Sequence, residues 1–244
     1  MAEVYDKSVA STGYPGTTLK RVLGVIGTEH SVLEIGAGTG LLTIPVAKKA
    51  RQVTVVEPSE TMLRVLQSKI LKEKISNVSI IKKKWENIDV GRVNPHDVLL
   101  AAYSLYMINI EEAIGRIKRL CKGSVLIIDS HLYENDGLRA ADEILRKLLN
   151  LEELPYCSSY TLLANVLYQL GIHPNIEIMR KRKDTQWNNY IEFRKLRYYQ
   201  AGGWSSTIEK SLLNELRRKN LIVYINGVPH IRRNAIEVLL WWEN

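Results

Sequence analysis

Two carboxylates and three glycines raise the chemical question in this sequence. The run Val32-Leu33-Glu34-Ile35-Gly36-Ala37-Gly38-Thr39-Gly40 sets an acidic residue and three glycines at the end of an apolar stretch, and the next apolar run, QVTVVE, ends in Glu57. Glycine held in a folded chain loses more conformational entropy than any other residue, so this density implies a backbone that turns sharply and comes close to something. A glycine turn between a strand and a helix offers main-chain N–H groups to a nucleotide-like ligand. A carboxylate ending the neighbouring strand can accept both hydroxyl groups of a ribose. The spacing is not that of a GxGxxG dinucleotide loop, and Gly40 is followed by Leu41 rather than by the Lys-Ser/Thr of a phosphate loop. Glu34 lies inside an apolar strand end, where a buried carboxylate needs a partner: a lysine, backbone donors or a cationic ligand.

Those residues need a parallel sheet to position them, and the pattern supplies one. Between Ser31 and Asp129, β-branched apolar runs (SVLEI, QVTVVE, VSIIK, DVLLAAY, SVLIID) alternate with segments of helical period at about Gly40 to Lys49, Ser59 to Lys74 and Glu111 to Cys121. Ser59 after Pro58 fits a helix N-cap, and Asn109 can cap the helix that opens on Glu111 and Glu112. The segment TTLKRVLGVIG predicts a leading helix. Beyond Asp129 the spacing predicts helices near Gly137 to Leu149 and over YTLLANVLYQLGI, a strand NIEIMRKR and a last strand AIEVLLWW. Between those two strands lies an insert with helical segments at about Trp187 to Gln200 and Ser205 to Lys219, and a hairpin turned at Asn226 and Gly227.

The expected architecture is therefore α/β, a Rossmann-like sheet of seven mostly parallel strands with an antiparallel last strand and a small helical and hairpin insert between strands six and seven. Its divisions are an N-terminal arm with the leading helix (1–30), a core (31–184), the insert (185–233) and the last core strand (234–244). The chain has 244 residues, 45% of them apolar and 25% charged, enough for one sizeable core plus an attached lobe. Cys121 and Cys157 stand far apart with no histidine cluster near them, which predicts buried thiols in a reducing cytoplasm and neither disulfide framework nor metal site. No run of eighteen apolar residues and no basic-then-apolar start is present, so neither membrane passage nor secretion is expected. The formal charge of +8 permits RNA as a partner without requiring it.

Strand, E-x-G-x-G-x-G, helix, and an acid ending the next strand: this constellation resembles the class I S-adenosylmethionine-dependent methyltransferase family, from about Tyr14 to Arg182. The resemblance implies transfer chemistry of the EC 2.1.1 type with S-adenosyl-L-methionine as cofactor. It implies that Glu34, Gly36, Ala37, Gly38, Thr39 and Gly40 line the methionine and ribose, that Glu57, with Pro58 and Ser59 beside it, holds the ribose hydroxyls, and that Met62 packs near the adenine. Where the family usually has an acid for the adenine amino group, this chain has KKKWENI, with Lys84 at that position. Trp85 and Glu86 are the replacements for that contact, and the alternative for Trp85 is an apolar anchor. Ala102, Tyr103, Ser104 and Tyr106, at the carboxyl end of strand four, face cofactor or substrate, and Tyr14 joins them from the arm. The Asn-Pro-Pro-Tyr and catalytic-cysteine motifs of nucleic-acid base enzymes are absent.

Methyl transfer is an in-line displacement at an already activated carbon, so the protein mainly aligns the nucleophile and excludes water. If the acceptor must lose a proton, Tyr106 and His131 are the candidate bases. A small-molecule acceptor is the leading expectation, with RNA or protein methylation and a non-catalytic cofactor-binding module as the alternatives. The insert carries Trp187, Tyr190, Phe193, Arg194 and Arg197. It is expected to lie over the carboxyl edge of the sheet and present that face to the acceptor pocket, as a lid or as an RNA-stacking surface. The alternative is that its aromatics form its own core.

Overall fold

The computed structural model describes residues 2–11, 14–105, 109–131, 137–151, 160–182, 184–197, 204–232 and 234–244. In chain order, helices α1 (Ala2–Ser11) and α2 (Gly16–Val25) precede β1 (Ser31–Ile35), α3 (Thr43–Ala47), β2 (Gln52–Val56), α4 (Glu60–Lys72), β3 (Val78–Ile81) and β4 (His96–Ala102). Then come α5 (Ile110–Leu120), β5 (Cys121–His131), α6 (Gly137–Leu148), α7 (Tyr160–Gln169) and β6 (Asn175–Arg182). The insert holds β7 (Thr185–Gln186), α8 (Trp187–Arg197), α9 (Ser206–Arg218), β8 (Ile222–Ile225) and β9 (Val228–Ile231), and β10 (Asn234–Glu243) closes the series.

Seven strands form one sheet in the order β3-β2-β1-β4-β5-β10-β6. Neighbours from β3 to β5 run parallel, and β10 runs antiparallel to both β5 and β6. This is the expected Rossmann-like arrangement with its antiparallel last strand. Near-continuous burial of β1 and β4 follows from helices on both faces. On one face Leu33, Leu99 and Ile127 meet Ile114 and Ile117 of α5; on the other Val32, Leu100 and Leu126 meet Val22 of α2 and Leu66 of α4. Local capping follows the expected chemistry: the Ser59 side chain accepts from Met62 N, and Asn109 Oδ1 accepts from the backbone N–H groups of Glu111 and Glu112.

Three features depart from the sequence-based expectation. Residues 2–11 form a helix rather than an open arm; α1 lies against α8 and α4, and Asp6 pairs with Lys69 of α4 at 2.5 Å. A short helix with little apolar periodicity is stabilised by such packing rather than by its own propensity. The insert builds a separate three-stranded sheet, β7-β9-β8, whose hairpin turns at Asn226 and Gly227 with φ of 50° and 76°. Finally, the lobe's core draws on α6 as well: Ala141, Ile144 and Leu145 pack with Trp187, Tyr190, Ile191, Leu212, Leu216 and Ile231. Trp187 and Tyr190 therefore point into that core and not toward an acceptor pocket, because burying two large rings against α6 and α9 removes far more apolar surface from water than a wet pocket wall would. Arg194 is buried with them, paired with Asp142 of α6 at 3.1 Å and lying 5.1 Å from the Tyr190 ring centre. The side chains of Phe193 and Arg197 lie outside the described residues.

Candidate active site

The turn after β1 is shaped by three glycines with three different tasks. Gly36, Gly38 and Gly40 have φ of 71°, 55° and 82°, a region in which a Cβ is strained. A Cβ at Gly36 would stand 2.5 Å from Ser104 Cβ, and one at Gly40 would stand 2.4 Å from Leu66 Cδ1. The first glycine thus lets the end of β4 pass beneath the turn, where Ser104 Oγ donates to Ile35 O at 2.8 Å, and the third lets α4 pack behind it. Around Gly38 a Cβ would meet nothing within 4 Å, so its main chain opens onto space that a ligand can enter. Ala37 and Thr39, between the glycines, are both buried.

Glu57 at the end of β2 organises the same turn. Its Oε2 accepts from Gly38 N at 2.9 Å and its Oε1 from Ser59 N at 2.8 Å. Each carboxylate oxygen keeps a further lone pair, so the group can still receive two hydroxyls. Pro58 is exposed beside it, and Met62 is half-buried in the first turn of α4. Replacing Glu57 by alanine is expected to weaken S-adenosylmethionine binding by about 1 to 3 kcal/mol, since charge-assisted hydrogen bonds are lost. Calorimetry measures this directly, and an unchanged affinity would place the ribose elsewhere.

Glu34, 2% exposed, accepts from Thr43 Oγ1 of α3 at 2.7 Å. Burial pushes its carboxyl up to about 7, opposed by the Thr43 hydrogen bond and reinforced by the charge of Glu57. The unfolded chain releases this proton near its ordinary value of 4.5, the folded chain only near 7. Stability contributed here is therefore greatest below about 4.5 and declines as pH rises toward 7, then levels off. Unfolding free energies measured at pH 5 and pH 8 should show this decline in the native chain and not in Glu34→Gln, a difference of about 2 to 3 kcal/mol. Equal pH dependence in the two chains would refute the assignment.

At the end of β4, Ala102 is partly buried and Tyr103 has φ of 53°, with its N–H bonded to Ile128 O at 2.9 Å. A bulky residue in that region is strained and marks a place where the surroundings over-determine the backbone. The Tyr14 ring meets Tyr103 edge to face, centroids 5.6 Å apart. Burial drives the Tyr14 phenol far above its ordinary range, helped by Tyr103 and the Glu34 carboxylate. The Tyr14 phenol is therefore held in its protonated form and is no candidate for a base. Trp85 is 4% exposed and belongs to the apolar cluster that also holds Val56, Ile88 and Leu105; its Nε1 has no hydrogen-bond partner among the described residues. Glu86 next to it is half-buried. Tyr106 lies outside the described residues. His131 ends β5 opposite Ile236 of β10, at the carboxyl edge, and its side chain is outside the described residues.

Sequence reasoning missed Thr43, the hydroxyl partner of Glu34, and the buried pair Thr18 and Glu237. The signal for Glu237 was present: it is the one acid within the apolar run AIEVLLWW, the same anomaly that drew attention to Glu34.

Comparison with known proteins agrees with this geometry. Residues 32–124 match a family model described as a methyltransferase domain. A protein of Staphylococcus carnosus named "Uncharacterized methyltransferase" is 26% identical over 167 residues, covering 64% of this chain and 75% of that one. The "Probable ribosomal RNA small subunit methyltransferase A" of Methanosphaera stadtmanae is 42% identical over 64 residues, which is 26% of this chain and 24% of the relative's length. Among solved structures, the YcgJ protein of Bacillus subtilis superposes with a TM-score of 0.65 at 18% identity, covering 93% of this chain and 97% of its own; at that identity the likeness is one of fold.

Proposed function

Because the chain belongs to the class I S-adenosylmethionine-dependent methyltransferase family, we propose that its acceptor is a small molecule held between the carboxyl edge of the sheet and the lobe. The observation that carries this reading is the burial of Trp187, Tyr190 and Arg194 inside the lobe. An RNA-binding surface needs exposed aromatic and basic groups to stack bases and meet phosphates, and these three are spent on the lobe's own packing. Both ends of the insert meet the sheet at its carboxyl edge, where Asn234 of β10 pairs with Arg182 of β6, the edge at which ligands of open α/β sheets bind. RNA remains the second reading, supported by the formal charge of +8 and by the relatives named as ribosomal RNA methyltransferases.

The residues present fit S-adenosylmethionine. The open main chain at Gly38 and the buried carboxylate of Glu57 suit its ribose and methionine, Glu34 suits a cationic group, and Met62 with the Trp85–Glu86 segment borders the adenine side. When bound, the cofactor supplies a methyl group activated by a sulfonium. The chain's own part is to hold the acceptor in line with it, with Tyr14 and Tyr103 shielding the floor from water. Where the acceptor must lose a proton, Tyr106 and His131 are the proposed bases. A cytoplasmic setting accords with the free, buried Cys121, and among the described residues no helix is long and apolar enough to cross a membrane.

Labelled S-adenosylmethionine offered with a small-molecule extract and, separately, with total RNA separates the readings. Label appearing in a low-mass product supports the proposal. Label confined to RNA overturns it, and so does calorimetric binding of S-adenosylhomocysteine without transfer to either pool.

A further inference from the structure

We propose that Glu237 is a positioning residue: through Thr18 it holds α2 at the depth and rotation that set Tyr14 against Tyr103 over the glycine turn. The inference rests on the reading of that turn as the cofactor site. On β10, Ile236, Val238, Leu240 and Trp242 pack on one face of the sheet, while Leu239 and Trp241 pack on the other beside α2. Glu237 falls on the second face by the alternation of a strand, is 4% exposed, and accepts a hydrogen bond from Thr18 Oγ1, which is fully buried in α2. Outside that pair, the exposed helix side is tied by Arg21 to Glu177 of β6 at 2.7 Å. The two contacts fasten α2 to adjacent strands of the sheet.

The geometry passes directly to the site. Tyr14 stands two residues before Gly16, the first residue of α2, and the helix's first backbone bond, Leu19 N to Pro15 O at 3.0 Å, already includes its neighbour. Pro15 supplies no side-chain cap, and Thr18, in the first turn, ties the start of the helix to β10. An apolar contact at 237 would cover the same surface but would let the helix slide or turn, since hydrophobic attraction is non-directional. A hydroxyl-to-carboxylate bond has a fixed length and direction. Burying a carboxylate is costly, and this cost is explained if its product is the placement of the Tyr14 ring.

The test uses the full chain and three variants, Thr18→Val, Thr18→Ser and, as a remote control, Leu120→Ala, with thermal unfolding and calorimetric affinity for S-adenosylhomocysteine measured on each. Valine keeps the shape of threonine and removes the donor; serine keeps the donor. Thr18→Val is expected to fold and to bind about tenfold more weakly, Thr18→Ser to bind within about twofold of the native chain, and Leu120→Ala to lose thermal stability with affinity unchanged. Native affinity in folded Thr18→Val overturns the proposal, as does a loss in Thr18→Ser equal to that in Thr18→Val, or a loss in Leu120→Ala that tracks its instability. A native chain that binds no S-adenosylhomocysteine overturns the cofactor reading itself and is recognised before any variant is compared.

Discussion

Gly38→Ala is expected to fold and to bind S-adenosylmethionine about 10- to 200-fold more weakly, the range for one methyl group obstructing a fitted site. Gly36→Ala, two residues away, is expected to lose much of its native state. Both substitutions place an L side chain in the left-handed region, at about 1 to 2 kcal/mol. Only at Gly36 does the new Cβ also run into packed protein, 2.5 Å from Ser104 Cβ, which adds about 1 to 3 kcal/mol of overpacking. Against a typical total stability of about 5 to 15 kcal/mol the sum is severe. Around Gly38 the space is open, so beyond that backbone strain the damage falls on the ligand. Thermal unfolding and calorimetry on the two variants separate the effects; a Gly38→Ala protein that binds normally would show that the cofactor does not approach this main chain.

The second large effect concerns the lobe. Asp142→Ala is expected to destabilise the protein by about 3 to 5 kcal/mol, because it breaks a buried ion pair by removing one of its two partners. Replacing both partners with apolar residues, Asp142→Leu with Arg194→Met, should recover most of the loss, since exchanging a whole buried ion pair for apolar side chains costs far less than breaking it. Denaturant titration measures both. Hydrogen exchange should show the single variant loosening α6 and α8 while β4 and β5 keep their protection, as expected of a lobe with its own core. Equal loss in the single and double variants would mean that packing, not charge, is what the pair supplies.

How much of this was readable beforehand divides along a physical line. The strands β1 to β5 and the glycine turn were legible because each is announced locally, by β-branched runs or by residues whose types have few other uses. Glu57 was legible because its place, at the end of the second strand, is set by short-range pattern alone. The destination of an amphipathic face is not local information. Trp187, Tyr190 and Arg194 lie at helical spacing whether they face a pocket or a core, and only the arrival of α6, from a different connection, decides between them. The Thr18–Glu237 bond joins residues 219 positions apart, and no period in the sequence relates them. Residues 2–11 escaped notice for a related reason: the helix there is held by α4 and α8, not by its own composition.

The place of β10 has a consequence for how the chain comes to be folded. Both of its hydrogen-bonded neighbours, β5 and β6, precede it in sequence, and they do not pair with one another. As the chain leaves a ribosome, the parallel strands, β6 and the whole insert emerge while the slot between β5 and β6 stands open, a pair of unsatisfied strand edges facing each other. Closing it requires a segment that has first travelled out through the lobe and back, a late step dominated by contacts between distant residues. During that interval the nascent protein presents the surface that invites strand invasion by another chain, so the interval in which chaperone protection matters most lies between synthesis of the lobe and insertion of its last strand.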